Sequence, residues 1–195
     1  MINQLKALDT NLFLYLNGKH HALLDPIMFY ASDKLFWVPF YLVLIFIIIR
    51  VFKKRSVFVL LAIGLLILVT DQIASHLLKN TIQRLRPSHE LALTDLIYLN
   101  NGGPGGQYGF VSSHAANAFA LATFLALLLP THFKFLKYIL FFWAILVAYS
   151  RIYNGVHYPG DVLVAAVLGG VLGGLMNKGI LLLFQKNYTN TIVGN

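Results

Sequence analysis

Apolar runs approaching bilayer-spanning length recur along this chain, divided by short basic clusters, and nothing else in the sequence restricts its fold as strongly. The runs cover residues 35–51, 57–78, 115–129, 138–149 and 162–184. Several come close to the ~20 residues that carry a helix across the hydrocarbon core. Their recurrence excludes an unusually apolar soluble helical domain. Only 11% of the residues are charged, about half the share of a soluble domain. The expected fold is all-α, an integral membrane helical bundle of about five spans. Residues 1–195 are read as one domain.

The polar segments orient the bundle. Residues 3–17 alternate leucines with Asn3, Gln4, Lys6, Asp9 and Asn11 and stop at Asn17-Gly18. This segment is too short and too polar to span, and reads as an amphipathic helix lying in the interface. It lacks the pattern of a cleavable signal peptide, so the first span is expected to act as the insertion signal. Asp25-Pro26 reads as a helix cap followed by proline in the first turn. Ser32, Asp33 and Lys34 read as a break, and Trp37 with Tyr41 as headgroup-level aromatics. Arg50, Lys53, Lys54 and Arg55 end the first span, and His132, Lys134 and Lys137 follow the third. By the positive-inside tendency these mark the cytoplasmic face, together with Lys178 and Lys186. The net charge of +8 is thus topological, and no nucleic-acid partner is implied. Gly169, Gly170, Gly173 and Gly174 offer small-residue spacing for close helix packing.

Residues 79–113 and 150–161 fall on the opposite face. There Lys79, Arg84 and Arg86 run against the positive-inside tendency, and cations held on that side need a task. Three segments meet on this face: KNTIQRLRP from Lys79, FVSSH from Phe110 and SRIYNGVHYPGD from Ser150. Together they supply Lys79, Arg86, Arg151, Ser112, Ser113, His114, His157 and Asp161, an inventory suited to phosphate. Guanidinium groups bind phosphate oxygens bidentately, and backbone amides at a helix start favour an anion. Pro159-Gly160 opens the last helix, so Asp161 can reach back to His157, fix its tautomer and leave the other ring nitrogen free to attack. Another imidazole can protonate the leaving oxygen. The acidic residues number seven, and only Asp161 falls within the cluster, so neither a metal nor another cofactor is expected. The absence of cysteine removes disulfides, thiolate metal sites and a thiol nucleophile. Asp71, Gln72, Ser75 and His76 read as a polar network under the site. His89, Asn100, Asn101 and Tyr108, on the long glycine-rich connection, are candidates to touch a headgroup.

These segments, in this order, resemble the three signatures of the type 2 phosphatidic acid phosphatase (PAP2) family. Lys79, Arg86 and Pro87 match K-x6-RP. FVSSH resembles PSGH, with Val111 at the proline position, Ser113 at the glycine, and Ser112 and His114 in place. Ser150, Arg151, His157 and Asp161 match SR-x5-H-x3-D. The resemblance covers roughly residues 20–185. It implies a six-helix core and a metal-independent phosphohydrolase. It implies His157 as a nucleophile forming a phosphohistidine, Asp161 as its orienting group and His114 as the leaving-group acid. Lys79, Arg86, Ser112, Ser113 and Arg151 would bind phosphate. The implied partners are the bilayer and a phosphorylated membrane lipid: undecaprenyl diphosphate, phosphatidic acid or phosphatidylglycerophosphate, or a phosphate of lipid A. The implied setting is a bacterial inner membrane with the site facing the periplasm. A phosphotransferase with the same site, and a non-catalytic carrier of anionic lipid, are the alternatives. Oligomeric state is open.

Overall fold

Backbone amides in lipid must find partners within their own segment, and each apolar run does so as a helix. The computed structural model describes residues 2–100 and 103–193. In it α1 spans Ile2–Asn17, α2 Leu24–Ser32, α3 Val38–Phe52, α4 Ser56–Asp71, α5 Lys79–Ile82, α6 Ser113–Leu128, α7 Lys134–Tyr153 and α8 Pro159–Val193. A π-helical segment, Gln72–Leu78, joins α4 to α5. Val38–Ile82, Thr131–Tyr153 and Pro159–Gln185 are long and apolar enough to cross a membrane, and Ser113–Leu128 is a shorter apolar helix. The first of these stretches doubles back at the 3-10 turn Lys53–Arg55, where Lys53 has φ 49°. Leu44 and Ile48 of α3 therefore meet Val59, Ala62 and Leu66 of α4 in one core. The five expected spans are present as helices, and the chain is an all-α multi-pass membrane protein. The side chains of residues 186–193, Lys186 included, lie outside the described residues.

The bundle sorts its faces as a membrane requires. Leu163, Val167, Val171 and Leu175 form an exposed apolar stripe along α8, a surface that acyl chains would cover. The opposite face of α8 is built of small residues. A Cβ on Gly169 would run into the Ala116 carbonyl oxygen, and one on Gly173 would stand 2.5 Å from that of Ala120. Small residues on both helices thus let the backbones of α6 and α8 touch. Gly170 and Gly174 do not share in this: a Cβ on Gly170 meets nothing nearer than 3.9 Å, and one on Gly174 meets open space. The Arg55 guanidinium lies 5.1 Å over the Phe184 ring, which brings the first basic cluster to the far end of α8.

Two local expectations are redirected by packing. Trp37 turns inward, donating from Nε1 to the Ala31 carbonyl at 2.9 Å and meeting the Trp143 ring at 6.0 Å; Tyr41 meets Trp143 edge-on, also at 6.0 Å. Asp25 lies inside α2 and caps nothing. Its carboxylate accepts from the hydroxyls of Tyr153 at 2.7 Å and Tyr98 at 2.8 Å. These bonds, that of Tyr153 above all, hold its pKa below the ordinary carboxylate value.

Candidate active site

Asp71, Ser75 and Lys79 recur every four residues. On an α-helix of 3.6 residues per turn that spacing drifts around the axis. The wider turn of Gln72–Leu78 offsets the drift. The three side chains consequently share one network: Lys79 Nζ donates to Ser113 Oγ at 2.7 Å, the Ser75 and Ser113 hydroxyls are 2.9 Å apart, and Ser75 donates to Asp71 at 3.3 Å. The expected polar network is present in Asp71 and Ser75, while Gln72 and His76 take no part in it.

Pro87 disfavours helix at the residue before it, and the chain leaves α5 extended. Gln83 turns through φ 50°, and the stretch after it pairs with the end of the glycine-rich connection. Arg86 N donates to Gln107 O at 3.1 Å, and Gly109 N to Arg84 O at 2.9 Å. The connection wraps the Arg86 side chain, whose Nε donates to Tyr108 O at 3.1 Å. The glycines are there to make room. Gly105 holds φ +69°, and a Cβ on it would stand 2.5 Å from Arg86 Nη1. Gly105→Ala should therefore displace this guanidinium and add about 1 kcal/mol of backbone strain. The expected result is a KM for phosphorylated substrate raised about tenfold with kcat less affected, read from initial rates.

The turn between α7 and α8 carries the third group. Gly155, at φ +79°, would place a Cβ 2.6 Å from the Tyr98 carbonyl oxygen, so a side chain at this position is excluded. Beyond it His157 and Asp161 are both buried, with Nδ1 3.5 Å from Oδ2, longer than a closed hydrogen bond. Burial, together with the charges of Arg86, Arg151 and Lys79, pushes the His157 imidazole well below its ordinary pKa. The charges of the three expected cations thus act in the same direction as burial, against a charged imidazole. Asp161 Oδ1 accepts from Arg84 Nη1 at 2.8 Å, and Oδ2 from the Tyr158 amide at 3.0 Å. Arg84 was not among the expected site residues. The signal for it was present: alternate residues of an extended strand share a face, so Arg84 and Arg86 point the same way.

Ser112 caps α6, its hydroxyl accepting from the Ala115 amide at 3.5 Å. With that hydroxyl turned to its own helix and the Ser113 hydroxyl held by Lys79, the first turn of α6 has backbone amides to offer an anion. His114 follows, within electrostatic reach of Arg151, His157 and Lys79. It also lines a cavity of about 490 Å³ between α3, α4, α6 and α7. That cavity is walled by apolar side chains such as Leu44, Ile48, Ile63 and Leu121, with Lys34 and Asn117 among its polar groups. Three loop candidates are used structurally. Asn100 is buried and donates to Asp25 O at 2.7 Å and Asn154 Oδ1 at 3.0 Å. His89 bonds the Gly105 carbonyl at 3.1 Å, and the Tyr108 carbonyl holds Arg86. Asn101 lies outside the described residues.

The model of the PAP2 superfamily matches residues 57–184. The lipid A 4'-phosphatase of Bacteroides thetaiotaomicron is 40% identical over 177 residues, covering 90% of this chain and 78% of the relative. That of Porphyromonas gingivalis is 35% identical, covering 87% and 72%. The crystal structure of Aquifex aeolicus LpxE superposes with a TM-score of 0.64 at 29% identity, covering 88% of this chain and 95% of that one. The chain belongs to the PAP2 superfamily. It is an enzyme, a membrane lipid phosphatase of PAP2 type.

Proposed function

We propose that the chain is a metal-independent phosphohydrolase that removes a phosphate from a saccharide lipid of the lipid A class, through a phosphohistidine on His157. The observation that carries this reading is a buried His157 with Asp161 Oδ2 3.5 Å from its Nδ1, where burial first and then the charges of Arg86, Arg151 and Lys79 push its pKa down. A neutral imidazole keeps a lone pair on Nε2 for phosphorus, and three cations stabilise the charge that gathers on the equatorial oxygens. Nε2 attacks, the phosphorus–oxygen ester bond breaks, and the leaving alkoxide takes a proton from His114. Water then attacks the phosphohistidine, His114 takes its proton, and inorganic phosphate leaves. Arg86, Arg151, Lys79 and the amide of Ser113 hold the phosphoryl group; the Ser112 amide is held by the Asp161 carbonyl at 3.2 Å. Asp161 keeps the His157 tautomer, closing its hydrogen bond as the substrate settles.

Two features support a lipid of this class, and a third bears on the side of the membrane. His114 lines the apolar cavity, so a leaving group there carries its acyl chains into the space between α3, α4, α6 and α7. The resemblance to lipid A 4'-phosphatases extends over nine-tenths of the chain. The site's cations oppose the positive-inside tendency, which favours a periplasm-facing site in an inner membrane. A panel of lipid A, undecaprenyl diphosphate, phosphatidic acid and phosphatidylglycerophosphate, assayed for phosphate release with and without EDTA, tests the reading. Lipid A should be preferred by at least about tenfold in kcat/KM, and EDTA should leave the rate unchanged. Preference for another member would overturn the substrate. A loss with EDTA that Mg²⁺ restores would overturn the mechanism.

A further inference from the structure

Asp161 is wholly buried, and a buried carboxylate must be paired. Its partner Arg84 is itself gripped from a distant part of the chain. Arg84 Nη2 donates to Asp9 Oδ2 on α1 at 2.7 Å, and the guanidinium lies 4.0 Å over the Tyr158 ring. The second oxygen of Asp9 accepts from the Gly160 amide at 2.7 Å, in the first turn of α8. The contacts close a ring: Asp9 to Arg84, Arg84 to Asp161, and α8 back to Asp9. Gly160 permits it, since a Cβ there would stand 2.7 Å from Asp9 Oδ2. α1 is not loosely laid on the bundle. Phe13 is buried edge-on to Tyr158 at 5.4 Å. Asn17 donates to the Tyr98 and Tyr153 carbonyls, each at 2.9 Å, and accepts from the Tyr98 amide at 2.8 Å.

We propose that Asp9 and Arg84 are positioning residues for the reaction: Arg84 holds Asp161, and through it the His157 ring, in the attacking orientation, and Asp9 locks Arg84. The N-terminal helix is on this account part of the catalytic apparatus as well as an interfacial element. A guanidinium shared between two carboxylates has little charge left to offer a phosphate, which separates Arg84 from Arg86. The inference rests on His157 being the nucleophile.

The test is steady-state kinetics of the purified full chain on its best lipid phosphate. Arg84→Met should lower kcat about 100-fold and Asp9→Asn about tenfold, with KM within about twofold, because an orientation is lost and no substrate contact is. Arg84→Lys should recover part of the loss. In an Asp161→Asn background both losses should disappear, since the residue they act through is already disabled. A rise in KM at constant kcat would make Arg84 a phosphate ligand and overturn the inference. So would undiminished losses in the Asp161→Asn background. If Arg84→Met does not fold, Asp9→Asn and Arg84→Lys, judged against their melting curves, decide the question. His157→Ala serves as the control. Full turnover in that variant overturns the nucleophile and this inference with it. Loss of turnover in His157→Ala beside unchanged kcat in Asp9→Asn and Arg84→Met overturns this inference alone.

Discussion

His157→Ala should abolish hydrolysis, a loss of at least about 10⁴-fold in kcat, because in the proposed mechanism His157 is the nucleophile that forms the covalent intermediate. His157 sits in an interhelical turn and makes no hydrogen bond that joins two helices. The bundle should therefore survive its loss, and His157→Gln, closer in volume, guards against a cavity effect. Two measurements check the result. Phosphate release should fall to background while the melting curve stays cooperative. A rapid quench into base, which preserves phosphohistidine, should trap labelled protein in the wild type and none in the variant. Turnover at the wild-type rate would remove His157 from the mechanism.

Gly169→Ala should cost about 2–3 kcal/mol and reduce activity along with stability, although it lies two turns of helix below the chemistry. The added methyl meets the Ala116 carbonyl oxygen, which belongs to backbone and cannot swing away. α6 and α8 must separate to admit it. His114 stands at the start of one helix and the His157 turn leads directly into the other, so the proposed acid and nucleophile move apart together. Gly174→Ala, with open space around its Cβ, should have the opposite sign and stabilise by about 0.5–1 kcal/mol through helix propensity. Thermal unfolding of the two variants in one detergent measures both. Equal shifts would mean that the close approach of α6 and α8 is not what holds them.

Legibility followed a physical line. The helices were readable because apolar length is itself the cause of a span, whatever the neighbours are. The candidate site residues stood out because cations and imidazoles beside a membrane require a purpose. Side chains whose role depends on another segment were not. Trp37 looked like an interfacial aromatic until Trp143 stood beside it, and Asp25 like a cap until two tyrosine hydroxyls reached it. Asn100 looked available to a headgroup on its loop, and is buried under Asp25 and Asn154. The glycine-rich connection offered side chains to a headgroup, and its backbone is the seat of Arg86.

By itself the sequence determined the all-helical membrane bundle and pointed to two faces of its topology and a group of residues suited to phosphate, since each reading follows from local composition and order along the chain. Tertiary structure decided which of those residues remain free for a substrate. It gave the Ser112 hydroxyl to a helix cap and the Ser113 hydroxyl to Lys79. It buried His157, which together with the charges of Arg86, Arg151 and Lys79 pushes the imidazole's pKa down. It tied Asp161 through Arg84 to Asp9, which lies 152 residues earlier in the chain. A buried carboxylate must be neutralised by whatever the fold brings near it, and no periodicity or spacing along a single segment records that choice.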